Sequence, residues 1–190
     1  MTNKINSHTI EASVNYAKVH NPANKYKSED KEYSVDAILN EDQANELTSI
    51  FNAFKVELKA FGNFRIKPLE DGMYRFKFKR NEFNSQGTAT KVDVTVLGDN
   101  GKLVDLPSNI LIGNGSTAAI HFITIEMADG TSVVQLTGLQ VLNLVPYVSQ
   151  GGGMKAVAGG QTLAQMQSLA GAAVNEAPVA DDASFEGNAF

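Results

Sequence analysis

The side chains of this chain best placed for chemistry are basic ones. Within FGNFRIKPLEDGMYRFKFKRNEF (61–83), the stretch 65–80 sets Arg65, Lys67, Arg75, Lys77, Lys79 and Arg80 against Glu70 and Asp71, a local net of +4. Residues 73–80 read as one alternating strand. Successive side chains of a strand point to opposite faces, so Tyr74, Phe76 and Phe78 share one side and Arg75, Lys77 and Lys79 the other. Two residues of rise space those cations about 6.6–6.8 Å apart, close to the pitch of phosphates along an extended single strand. A row of cations on a sheet face is costly unless it meets something anionic. Phe76 and Phe78 read as core. An edge strand guarded against aggregation by its lysines is the other reading of the cations, and both can hold at once.

A second cluster interleaves aromatic and basic residues: Tyr16, Lys18, His20, Lys25, Tyr26, Lys27, Lys31 and Tyr33. Alternation over 14–20 turns Ala17 and Val19 inward and Tyr16, Lys18 and His20 outward. An exposed Tyr beside Lys is what base stacking combined with phosphate contact requires. Such stacking is worth about 1–3 kcal/mol per base and tolerates any sequence, because every base has a π-face. Tyr33 falls on the face of Val35, Ala37 and Leu39 and reads as core. Tyr26 lies in a polar connection, where a partner is a better explanation than burial.

Enzyme signatures are nearly absent, and no catalytic residue, cofactor or metal site is expected. With no Cys, thiol nucleophiles, disulfide frameworks and Cys-containing zinc sites are excluded. His8, His20 and His121 are far apart and none has a second ligand type at metal spacing. Asp36, Asp93 and Glu126 could converge on Mg²⁺ in the manner of nuclease carboxylates, but scattered acids on outward strand faces are the commoner explanation. Gly113-Asn114-Gly115-Ser116 lacks the Lys of a phosphate loop, and a strand pattern follows it where a helix should begin, so it reads as a turn.

The elements that must position these residues are mainly β. The chain has 190 residues and a formal charge of −5, with no apolar run long enough to span a membrane and no signal-like start, which fits a reducing cytosol. Strands are expected at 14–20, 32–39, 64–68, 73–83, 91–97, 120–127 and 131–145, with turns at Asp71-Gly72, Asn100-Gly101 and Asp129-Gly130. Gly138 marks a bulge in the last strand. One helix follows Asn40, whose pairing with Gln43 resembles a capping box; Ala44, Leu47, Ile50, Phe51, Phe54 and Leu58 recur at helix spacing, and Gly62 should end it. Seven short strands and one helix suggest a small, embellished β-barrel over 1–150.

Composition changes at Gly151. Residues 151–190 hold seven of the sixteen glycines and a net charge of −3, leaving −2 for 1–150. So few large apolar groups cannot offset the entropy of ordering, so this tail is expected to be mostly disordered, with a marginal helix over 161–174. It carries Asp181, Asp182 and Glu186 and presents Phe190 beside the terminal carboxylate. Such an end can occupy a basic groove in cis or recruit basic partner proteins.

With these residues in view, the chain resembles the bacteriophage single-stranded DNA-binding proteins built on one OB-fold with an acidic C-terminal tail ending in an aromatic residue. The resemblance lies in YAKVHNPANKYKSEDKEYSVDAIL (16–39), ILIGNGSTAAIHF (110–122), LTGLQVLNLVPY (136–147) and the terminal DDASFEGNAF. It implies an OB-fold barrel and single-stranded DNA held by stacking and by Lys/Arg phosphate contacts. Tyr16, Lys18, Lys25, Tyr26, Lys27, Arg65, Lys67, Arg75, Lys77, Lys79 and Arg80 are the candidates for that role. It also implies roles in phage replication, recombination and repair in the host cytoplasm. The tail would address replication proteins such as a polymerase or helicase/primase, and copies could associate on DNA. The tail departs from the pattern in having four acidic residues among its last fifteen. A phage structural or assembly protein is the alternative reading.

Overall fold

A computed structural model describes residues 4–25, 27–56, 66–147 and 166–168. One eight-stranded sheet dominates: β1 (Ile5–Asn24), β2 (Lys31–Leu39), β3 (Lys67–Pro68), β4 (Tyr74–Asn81), β5 (Asp93–Leu97), β6 (Leu103–Asp105), β7 (Ser116–Glu126) and β8 (Ser132–Asn143). Their order across the sheet is β3-β4-β2-β1-β7-β8-β5-β6, and every pair is antiparallel except β5 with β8. The sheet coils enough to bring its separated strands together. The Arg80 guanidinium on β4 reaches the Leu136 carbonyl on β8 at 3.5 Å, and Phe78 on β4 lies 4.9 Å from Phe122 on β7.

Inside the curl sits an aromatic core. Phe76 packs between Phe51 and Phe78 at ring distances of 5.1 and 4.8 Å. Leu39, Leu47, Ile120, Leu136, Leu139 and Leu144 fill the space around them, all fully buried. The expected inward side of β4 is therefore correct. Truncating a ring in such a core costs about 3–5 kcal/mol.

Helix α1 (Glu41–Ala53) closes one side with Ala44, Leu47 and Phe51. Its start is as expected: Asn40 Oδ1 accepts from the Gln43 backbone, and Gln43 Oε1 accepts from the Asn40 backbone. Its end is not. The helix stops at Ala53 because Lys55 turns left-handed (φ 52°), so the Val56 N–H reaches the Phe51 carbonyl and the Lys55 N–H reaches that of Asn52. This local closure satisfies the last carbonyls without a glycine and overrides the apolar spacing that pointed to Leu58.

Three further departures stand out. β1 begins at Ile5 rather than at residue 14, because its polar first half is carried by a continuous ladder to β7. β6 is an additional strand, three residues long and paired to β5. Met166, in the segment read as too poor in apolar groups to pack, is fully buried in the core, as part of a helical turn with Gln167 and Ser168. An unbranched thioether suits an irregular gap of this kind. Gly138 does mark a bulge: β8 slips one residue between the His121 and Phe122 pairings, and the inward positions change from Leu136 to Leu139.

Candidate nucleic-acid interface

The outward side of β4 is a basic row with its own counter-charges. Register places Lys77 opposite Asp36 and Lys79 opposite Ser34 on β2, and Arg75 opposite Lys67 on β3. Asp36 receives Arg75 at 3.6 Å and Lys77 at 3.5 Å, while Lys79 lies 3.7 Å from Glu32. Asp36 is 3 % exposed, walled in by the side chains around it. The anion that the cation row demands is thus supplied in part by the protein. The cations remain partly accessible, so a phosphate can reach them from the solvent side while Asp36 stays buried beneath them.

The same register joins the two sequence clusters. Lys18 on β1 pairs with Ser34, whose other neighbour is Lys79. Lys18, Lys67, Arg75, Lys77 and Lys79 therefore share one face against Asp36 and Glu32, a net of +3. Arg80 does not join them. It has the parity of Phe76 and Phe78, points to the inner side and bonds the Leu136 carbonyl. Lys25 is drawn to Asp30 at 3.5 Å in the β1–β2 connection, and Lys27 is exposed there with a left-handed φ of 56°. Tyr26, Arg65, Asp181, Asp182, Glu186 and Phe190 lie outside the described residues.

Tyr16 stands at the border of the basic face, 61 % exposed. Its outward position is the one alternation over 14–20 gives, but the same alternation does not carry back to residue 14. Val14 is fully buried as well as Val19, so the inward parity changes between them, and the β1–β2 register shifts between Asn15 and Lys18. Tyr16 occupies this bulge at φ 50°, a left-handed value costly for a bulky residue. The parity change from Ile10, Ala12 and Val14 to Ala17 and Val19 is the signal in the sequence that could have located it.

Beyond the bulge, β1 borders two recesses. One, about 250 Å³, is lined by residues that include Val19, His20, Tyr33, Lys91 and Leu106. The other, about 190 Å³, is lined by Ala17, Lys18, His20, Leu111 and Ile112 among others. His20 borders both; its Nε2 is buried without a partner, and burial holds its pKa below the ordinary value. Tyr33 packs against the core as expected and donates to the Thr90 carbonyl at 3.3 Å. Tyr147, 53 % exposed just after β8, is an aromatic candidate that spacing alone did not single out.

The acidic residues do not form a site. Asp36 is engaged by two cations and Asp93 by Lys91 at 3.1 Å, and among the described residues no group of three His, Asp or Glu could hold a metal ion. No helix among the described residues is long and apolar enough to cross a membrane.

No protein-family model matches the chain, and no curated protein matches it by sequence. Among solved structures it is similar to gp2.5, a single-stranded DNA-binding protein encoded by bacteriophage T7. That match has a TM-score of 0.47 and 17 % identity, covering 82 % of this chain and 100 % of that one. It is also similar to the single-stranded DNA-binding protein from bacteriophage Enc34 in complex with ssDNA (TM-score 0.44, 11 % identity, 71 % of this chain and 85 % of that one). A C-terminal truncation of the Enc34 protein gives a TM-score of 0.46 at 13 % identity, covering 71 % and 84 %.

Proposed function

We propose that this chain is a sequence-tolerant single-stranded DNA-binding protein with an OB-like barrel. The observation that carries the reading is the register that sets Lys18 beside Lys79, Lys77, Arg75 and Lys67 on one face bordered by an exposed Tyr16. Phosphates bind the cation row, and bases stack on tyrosine. Neither contact reads base edges, so discrimination between sequences is weak. The protein coats exposed strands during phage replication, recombination and repair in the host cytoplasm, without catalysis. Its tail, through Asp181, Asp182, Glu186 and Phe190, competes for the basic face or recruits replication proteins.

Fluorescence anisotropy with a short oligo-dT and a matched duplex, over a salt series, tests the reading. The expected result is preference for oligo-dT, with log K falling by about 0.7 per phosphate contact per tenfold rise in salt. A chain ending at Ser168 keeps the buried Met166 and should bind more tightly than the full chain. Absence of oligo-dT binding at low salt would refute the reading.

A further inference from the structure

The Gly113-Asn114-Gly115-Ser116 turn has no role in the function proposed so far, yet it is tied to both sides of the molecule. Toward β1, Asn114 Oδ1 accepts from the Tyr16 N–H at 2.7 Å, and the Gly115 N–H donates to Asn15 Oδ1 at 3.0 Å. Two asparagines thus cross-brace the bulge. Toward the end of β8, the Gly113 N–H donates to the Val145 carbonyl at 2.8 Å, and the Val145 N–H donates to Ser116 Oγ at 3.0 Å. Ser116 is fully buried, and its hydroxyl also lies 2.7 Å from the Gly113 carbonyl. A Cβ at Gly113 would sit 2.6 Å from the Val145 carbonyl oxygen, so only glycine permits this approach. Further along, the Tyr147 N–H donates to the Leu111 carbonyl at 3.4 Å.

One loop therefore fixes the backbones that bear two exposed tyrosines. The 190 Å³ recess between these attachments is walled by Ala17 and Lys18, which follow Tyr16, and by Leu111, which binds Tyr147. A strained left-handed tyrosine persists only where its surroundings over-determine it, and such strain gathers at ligand sites. Packing does not explain it here, since the Tyr16 ring is mostly in solvent.

We infer that loop 111–116 is a bracket presenting Tyr16 and Tyr147 as two nucleobase-stacking posts of one single-strand track, with Asn15 and Asn114 as positioning residues. This rests on the single-stranded DNA reading and deepens it.

The chain contains no Trp, so Tyr16→Trp and Tyr147→Trp each create a unique fluorescent reporter. Both should be quenched on titration with oligo-dT. Asn114→Ala in the Tyr16→Trp background should lose most of that quenching. Tyr16→Gly should keep or raise the melting temperature, since glycine accepts positive φ, while oligo-dT affinity falls about 5- to 150-fold, the equivalent of one stacked base. Salt-sensitive binding with both reporters silent and Tyr16→Gly binding like the parent would overturn the bracket and leave the DNA reading intact. Quenching at position 16 alone would remove Tyr147 from the track. Failure of the unaltered chain to bind oligo-dT would remove both proposals together.

Discussion

β4 and the bulged part of β1 border the same face but are built in opposite ways. β4 keeps perfect alternation, buries Phe76 and Phe78, and turns Arg75, Lys77 and Lys79 outward onto Asp36 and Glu32. Its cations are half satisfied before any ligand arrives. β1 breaks alternation at Tyr16, holds the break with hydrogen bonds to a distant loop, and leaves an aromatic ring in solvent. Charge on β4 is cheap to display because water and neighbouring carboxylates screen it. An exposed ring on a strained backbone has no such compensation within the fold, and that makes the bulge the sharper pointer to a ligand.

The contrast can be broken most forcefully on β4. Lys77→Glu combined with Lys79→Glu should weaken oligo-dT binding by about 100-fold at low salt and flatten the salt dependence by roughly 1.4 in slope, about 0.7 for each phosphate that no longer meets a cation. Anisotropy over a salt series measures both. An unchanged slope would show that the row does not meet phosphate.

Asp36→Asn tests the self-neutralisation. Arg75 and Lys77 lose their shared carboxylate, so affinity should rise about threefold to tenfold, with a steeper salt slope. Weaker binding would mean that Asp36 orients the cations more than it competes with the ligand.

Tyr16→Gly carries a stability prediction on the other side of the comparison. Relief of the left-handed strain, offset by glycine's entropy, should leave the unfolding free energy level or raised by about 0.5–1 kcal/mol. A fall of about 2 kcal/mol or more, on the order of a core truncation, would mean that the ring is holding the fold.

The smallest effect is with pH. β4 carries no histidine, whereas β1 bears His8 and His20, both held by burial below the ordinary 6.5. A lowered histidine pKa means that the unfolded chain binds the proton more readily. The stability it contributes is complete above 6.5 and declines as pH falls through 6.5 toward the folded values. Thermal melts at about pH 7.5 and about pH 5 should show the lower midpoint at the acid end, and His8→Phe with His20→Phe should narrow the gap.

Much of the fold was legible because local rules and global packing agree in it. The alternation of β4, the capping box at Asn40, the Asp71-Gly72 turn (φ 76° at Gly72) and the Gly138 bulge all follow from nearest-neighbour chemistry. The misreadings fall where a distant partner decides. The polar start of β1 is a strand because β7 pairs with it, and Met166 is core because a gap elsewhere accepts it. Arg80 is a different case: its parity with Phe76 and Phe78 already assigns it to the inner side, and the partner it finds there, the Leu136 carbonyl of β8, is what only the curled sheet supplies.

Which residues could bind a polyanion, and on which side of β4 they stand, was written in the chain itself, since a strand's two-residue period needs no partner to specify it. That Lys18 joins the row, that Asp36 and Glu32 temper it, and that Tyr16 is held on a left-handed bulge emerged only once the sheet was assembled. Each of those depends on interstrand register or on hydrogen bonds spanning about a hundred residues, as between Asn15 and Gly115. Such pairings are set by how the whole sheet closes on its core, which no local pattern encodes.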